Sequence, residues 1–474
     1  MLARYSKILT NIRVQEFAMN ASNKKIEQLK NNMNIKGDQQ EKEFNQNMLK
    51  VAQAYGENKD LTNRDSKELA ERCGISEKEA KEKMVAKNNL AIKLSQQLIA
   101  FPSFSGKHQE VIEFINNLLK EHNFDCHILD FDGDGSYPVN NLYAIYNPNN
   151  AKKALYFAGH TDVVAIGDLD KWQFDPFSAT IDDGKLFGRG ASDMKCAIAC
   201  FISAVLDFIT SKQGDINFAI GFLITNDEEA DGINGTKKIL QWIKEKQLPI
   251  THAIVGEPTN PNHLGEMIKI GRRGSINFSL KIIGKQGHVA YPENAINPTA
   301  ILVDILKTLK QHRFDDGNKF FDPTNLEITT INSDNFGNNV VPMQANANFN
   351  IRFNDFHHSK QIIELIDFVC SKNAIAMQAR YELNYRLSGE SFLSEPKELA
   401  KIAIEATNEI TGFKPKLSTT GGTSDARFIK DYAEVIELGL INKTAHQVNE
   451  YANLSEINDL YKIYLLILEK FNQI

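Results

Sequence analysis

The sequence predicts an α/β protein, with a mostly parallel sheet flanked by helices and an α+β unit inserted into it. Three observations carry this. Apolar strand-like runs alternate with helical periodicity from about Asn88 onward, the pattern of a largely parallel sheet covered on both faces. The texture shifts near Gly271 to alternating polar and apolar residues, then returns to the first pattern at PKELAKIAIEATNEIT. Histidine and carboxylate residues fall just after the apolar runs, at the carboxyl ends of strands where open α/β sheets bind ligands.

Residues 1–86 stand apart. They are rich in Asn, Lys, Gln and Glu, with few large apolar residues after the first twenty, and predict an N-terminal extension, partly disordered with short helices. Ser76 and Glu79 form a capping-box pattern at one of those helices. LAERCGIS resembles the turn of a helix-turn-helix, but EKEAKEKM after it has mixed charge and no reading face, so nucleic-acid binding is not expected. MLARYSKILTNIRVQEF is basic but lacks a continuous apolar stretch and is not read as a secretory signal.

Residues 87–273 form the first part of the main domain. NNLAIKLSQQLIAF and HQEVIEFINNLLKEHNF have the spacing of amphipathic helices. DCHILDF, NLYAIYN and ALYFAGH are strands, and KCAIACFISAVLDFITS is a long, mostly apolar helix. The strand INFAIGFLITNDEE, the helix TKKILQWIKEK and the strand THAIVGEP follow. Residues 274–389 form the inserted unit. GRRGSINFSLKIIGKQGHVAYP alternates like an edge or meander strand. The helix TAILVDILKTLKQH, the strands LEITTINS and QANANFNIRFN, the helix SKQIIELIDFVCSK and the strand MQARYELNYRLS complete it. Residues 390–474 return to the main domain.

Composition narrows the function. With 474 residues, 42% hydrophobic and 24% charged, the chain is long enough for several cored domains of ordinary globular type. A net charge of -6 gives no general attraction to nucleic acid or anionic membrane, and no apolar run approaches the ~20 residues of a membrane span. The five scattered cysteines contain no C-x-x-C pair, which fits reduced thiols in a cytoplasmic protein.

The chemistry begins at LYFAGHTDVV. His160 and Asp162 are two apart on extended chain and share a side, so the carboxylate can orient the imidazole as metal-binding histidines require. GRGASDMK places Asp193 between a glycine-rich turn and a helix start. ITNDEEADG places Glu228 and Glu229 at a strand end, VGEPT places Glu257 before a proline, and AHQVNE carries His446. Two imidazoles and several carboxylates, without a thiol, suit zinc, cobalt or manganese. Adjacent carboxylates on extended chain diverge, which suits one metal ligand and one free base. A carboxylate bridging two metals about 3.5–4 Å apart would make a two-metal hydrolytic site.

Together GHTDVV, GRGASDMK, DEE, GEPT, GRRGS, QGHVAYP, GGTSDARF and AHQVNE resemble the dinuclear zinc aminoacylases and peptidases of the M20 family, from about residue 87 to 474. The resemblance implies a zinc-exopeptidase-like catalytic domain with an inserted lid and dimerisation domain. It implies that His160, Asp193 and Glu257 hold one zinc and that Asp193, Glu229 and His446 hold the second, with cobalt as a substitute. Asp162 would orient His160, and Glu228 would be the general base for a water held between the metals. His288 would reach from the inserted domain of one subunit into the site of the other and stabilise the oxyanion. Arg272 and Arg352 would bind carboxylates, with neutral hydrogen bonds from Tyr291, Asn338, Asn339, Ser388, Gly422 and Thr423.

GRRGS, QGHVAYP and GGTSDARF point more narrowly to the branch that releases succinate from N-succinyl-LL-2,6-diaminopimelate, in lysine and diaminopimelate synthesis. Deacylation of acetylornithine by a related M20 enzyme is the alternative. The chain departs from the family pattern at Ala165, Cys196, Asn226 and Gln447, none of them an expected ligand or base. Met84 stands where chains of the family typically begin, so residues 1–83 are expected to be a dispensable appendage or an upstream reading of the start codon.

Overall fold

A computed structural model describes residues 89–147, 151–333 and 337–474. The expected extension at 1–86, with Ser76, Glu79 and Met84, lies outside the described residues.

The main sheet has eight strands. In spatial order they are Asp125–Gly133, Ser136–Tyr146, Ala219–Thr225, Ala154–His160, His252–Val255, Glu434–Glu437, Met267–Lys269 and Lys416–Ser418. The four from Ala219–Thr225 to Glu434–Glu437 are mutually parallel. Antiparallel pairing enters on both sides, through Ser136–Tyr146 and Met267–Lys269, so the sheet is mixed with a parallel centre. Ala154–His160 and Ala219–Thr225 are buried at every position, as strands covered on both faces must be.

The register of these central strands builds the site. His160 lies opposite Thr225, and Val255 lies opposite both Ala158 and Glu437. The loops bearing Asp162, Glu228 and Glu257 therefore leave one edge of the sheet side by side. Two glycines allow the Asp193 segment to lie across that edge. A Cβ on Gly159 or Gly256 would sit 2.7 or 2.6 Å from Met194 Cε.

The helix Cys196–Lys212 runs through the core beside Leu90–Ile99 and Leu454–Phe471. It belongs to the one helical stretch among the described residues, Ala191–Lys212, that is long and apolar enough to cross a membrane, and here it is packed inside the protein. Phe157, Phe201, Phe222 and Tyr464 form an aromatic cluster between sheet and helices, with Phe157 stacked on Phe201 at 4.7 Å. Each such pair adds about 0.5–1.5 kcal/mol beyond area burial.

The second sheet is antiparallel, in the order Asn325–Asn332, Gln344–Phe353, Gly274–Ile283 and Arg380–Gly389. Gly274–Ile283 is paired on both sides, so the segment expected at an edge or in a meander is an interior strand. Its alternation has a different cause: Ile276, Phe278, Leu280 and Ile282 pack under the helices Pro298–Gln311 and Ser359–Ala376, while the residues between them face away. This sheet and its helices have their own hydrophobic core, and the strands Gly271–Arg272 and Phe392–Leu393, just before and just after it in the chain, pair with each other.

Candidate metal centre

His160 ends the central strand with its ring buried, 1% exposed. Its Nδ1 donates to the backbone carbonyl of Asp162 at 3.0 Å, with the Asp162 carboxylate 3.6 Å away. That contact turns Nε2 toward Asp193 at 3.2 Å and Glu257 at 3.7 Å. Asp193 continues the chain of contacts, because its other oxygen lies 3.2 Å from His446 Nε2, which is also 2.8 Å from Glu229. The five expected ligands, His160, Asp193, Glu229, Glu257 and His446, thus converge in one cluster.

The Asp162 carboxylate was expected to orient the His160 ring, but the backbone carbonyl of Asp162 takes the Nδ1 bond and the carboxylate is engaged elsewhere. Asp162 is wholly buried, and its carboxylate accepts from the backbone N–H groups of Glu228 and Glu229 at 3.0–3.2 Å and from the Ser105 hydroxyl at 2.7 Å. It pins the segment that carries the expected base and one expected ligand. Asp227, just before that segment, accepts from Tyr137 at 2.5 Å and from the N–H groups of Gly232 and Asn234.

The electrostatics follow from carboxylates crowded around two imidazoles. Burial pushes Glu228 well above the usual carboxylate range, and Asp425, Glu229 and Asp162 add repulsion. Glu257 is raised in the same way by burial and by Asp193 and Glu228. Burial opposes charging of His160, but Asp193, Asp162 and Glu257 outweigh it and lift its pKa well above the ordinary value. Hydrogen bonds to Asp193 and Glu229 raise His446 to about 10. Burial likewise works against ionisation of Asp193, but its two imidazole partners hold it below the usual range. Buried carboxylates this close need compensating positive charge. Ligand atoms of His160, Glu228 and Glu257, and of His160, Asp193 and Glu229, lie within 4.8 Å of one another. The donor set and its spacing fit divalent cations, with Glu228 lying beside His160 and Glu257.

The remaining expected residues fall into three places. Arg272 is buried and paired with Glu437 through Nε and Nη2, and Nη1 donates to the Thr420 carbonyl at 3.4 Å. Glu437 also accepts from Ser424 at 2.5 Å. Arg272 is therefore already neutralised within the chain, and its Nη1 side, against Gly421, faces the loop with Gly422 and Thr423. Ser388 lies beside this loop, its carbonyl accepting from Arg427 at 3.2 Å. Arg352 is on the inserted sheet, its Nε donating to Asn350 at 3.1 Å. His288, Tyr291, Asn338 and Asn339 sit together at the exposed tip of the inserted unit, where Gly287–His288 pairs with Val340–Val341. No contact described for these four joins them to the metal cluster of the same chain.

Residues 156–470 match the family described as Peptidase family M20/M25/M40. The chain belongs to this family. Curated relatives include the succinyl-diaminopimelate desuccinylases of Pelagibacter ubique, 47% identical over 80% of this chain and 98% of the relative, and of Ehrlichia canis, 45% identical over 80% and 98%. Among solved structures, a tripeptidase from Staphylococcus aureus superposes with a TM-score of 0.67 at 20% identity, covering 81% of this chain and 98% of that one. A dinuclear metal-binding M20 peptidase from Bacillus subtilis superposes with a TM-score of 0.58 at 14% identity, covering 82% and 99%. These structures share the fold.

Some residues of the site were not singled out from the sequence. Ser105, Glu437, Arg189 and Glu450 each hold a site element, yet they bond to partners distant in the chain. Glu450 had a signal, since it ends the AHQVNE motif. Asp425, in GGTSDARF, could have capped the helix Ala426–Ile429 that follows it, but its side chain makes no capping bond and is buried near Glu228.

Proposed function

We propose that this enzyme hydrolyses N-succinyl-LL-2,6-diaminopimelate to succinate and LL-2,6-diaminopimelate, with two divalent metal ions, zinc or its substitute cobalt, per subunit. The observation that carries the reading is the convergence of His160, Asp193, Glu229, Glu257 and His446 around the raised carboxylate of Glu228, in a chain 47% identical to a curated desuccinylase.

His160, Asp193 and Glu257 would hold one ion and Asp193, Glu229 and His446 the other. Bound there, the ions would polarise the amide carbonyl and acidify a water. Glu228 would take the proton of that water on its carboxylate and pass it to the leaving amine. Asp162 keeps the Glu228–Glu229 backbone fixed while His160 presents Nε2. Arg352, the Nη1 side of Arg272 and the neutral donors near Gly422, Thr423 and Ser388 receive the substrate carboxylates.

His288, with Tyr291, Asn338 and Asn339, is exposed on the inserted unit and would complete the site of a second copy in a homodimer. A cytoplasmic setting accords with free thiols at Cys126, Cys196, Cys200 and Cys370.

The test incubates the full chain and zinc with N-succinyl-LL-2,6-diaminopimelate, with N-acetylornithine in parallel and a chelator control. Chelator-sensitive release of succinate from the first alone is expected. Preference for N-acetylornithine would overturn the substrate assignment while leaving the site chemistry intact.

A further inference from the structure

Glu450 and Arg189 form a buried ion pair, 2.8 Å apart, that no step above uses. The Glu450 carboxylate accepts from four donors. Oε1 accepts from the N–H groups of Ser192 at 2.9 Å and Asp193 at 3.2 Å. Oε2 accepts from the Gly190 N–H at 3.1 Å and from Arg189 Nη1 at 2.8 Å. Only a carboxylate offers two acceptor oxygens to four donors.

Arg189 extends the connection. Its Nη1 also donates to the carbonyl of Gln447, the residue after His446, at 3.1 Å. Its Nη2 donates at 3.1 Å to the carbonyl of Ala165, on the loop that follows His160 and Asp162. The pair thus touches three of the segments that carry expected metal ligands. The His446 loop needs such support, because His446 and Asn449 both have left-handed backbone, with φ 63° and 61°, and His446 itself is exposed. A second tie comes from Thr444, whose hydroxyl donates to the Tyr451 carbonyl at 2.9 Å.

We propose that the Arg189–Glu450 pair is a positioning device for the metal centre: it sets the bridging Asp193 against His446 and so determines the affinity of the ion these two share with Glu229. The inference rests on the metal-centre reading above. Neither side chain touches an ion or substrate; both act through the backbone of the ligand segments.

The test is a zinc titration of the chelator-stripped full chain by calorimetry, for the unaltered protein, Glu450→Gln, Arg189→Lys and His446→Ala. The amide introduced by Glu450→Gln turns a donor toward N–H groups in either orientation. The single ammonium introduced by Arg189→Lys cannot reach two carbonyls and a carboxylate as the guanidinium fork does. Near-ultraviolet circular dichroism of each stripped protein identifies those that remain folded. Both positioning variants are expected to weaken one zinc site at least tenfold, the same site that His446→Ala removes, and to leave the other less affected. A folded Glu450→Gln or Arg189→Lys protein with both unaltered affinities would overturn the proposal. If Glu450→Gln does not fold, Arg189→Lys alone decides. Failure of the unaltered chain to bind two ions would instead defeat the metal-centre reading.

Discussion

The floor of the metal centre and the tip of the inserted unit carry residues expected to act together, yet they are built in opposite ways. On the floor, His160 and Asp162 are buried and their polar atoms are held by Ser105, Glu228, Glu229 and Asp193. At the tip, His288 is exposed and accepts a local bond from the Ala290 N–H, at 3.0 Å. A group preorganised inside one chain is ready without a partner. A group presented on a two-residue strand at the surface gains its orientation only when something docks against it.

Several experiments would break or sharpen this contrast. The largest effect is expected on the floor. Glu228→Gln should lower turnover about 10²–10⁴-fold while both metal ions remain, as measured by metal analysis beside a rate assay. Loss of metal together with rate would instead make Glu228 a ligand, which its place near His160 and Glu257 makes a pointed question.

At the tip, His288→Ala should cost about 10²–10³-fold in rate with metal content and melting temperature unchanged. Mixing His288→Ala with Glu228→Gln subunits adds a sharper comparison. If His288 serves the partner's site, the mixed dimer contains one intact site and activity returns; two inactive proteins that stay inactive when exchanged would place His288 within its own chain or outside the reaction.

Chelation is a milder probe. The stripped protein should lose activity and regain it with zinc or cobalt, and it should melt at a lower temperature. A ligand at 100 times its dissociation constant stabilises by about 2.7 kcal/mol. Because His160 is expected to hold only one of the two ions and His288 neither, the melting shift should shrink in His160→Ala and persist in full in His288→Ala.

The smallest effects separate packing from exposure. Phe157→Ala, in the aromatic cluster beneath the floor, should cost about 3–5 kcal/mol by denaturant unfolding. Phe368→Ala, 63% exposed on the inserted unit, should change subunit stability by about 0.5 kcal/mol or less. A large loss at Phe368 that depends on protein concentration would show that a second copy covers this face.

The apolar runs were enough to place five of the eight strands of the main sheet, because strands buried on both faces leave continuous apolar sequence, but not the short strands Met267–Lys269, Lys416–Ser418 and Glu434–Glu437 or the helix Leu454–Phe471. They did not distinguish the antiparallel margins of the sheet from its parallel centre, since direction depends on which strands become neighbours. Alternation in Gly274–Ile283 was visible as well, but a strand with one covered face looks the same in the interior of a sheet as at its edge.

The site divides in the same manner. His160, Asp193, Glu228, Glu229, Glu257 and His446 stand in short motifs whose residue types announce metal and proton chemistry, so the sequence by itself determined the candidates. Only the tertiary structure decided how they are held. Asp162 binds the backbone of Glu228 and Glu229, 66 and 67 residues away, and Glu437 neutralises Arg272 across 165. Glu450 holds the Asp193 segment from 257 residues away. Such contacts leave no local periodicity, because a carboxylate that accepts from distant backbone has the same sequence signature as one facing solvent.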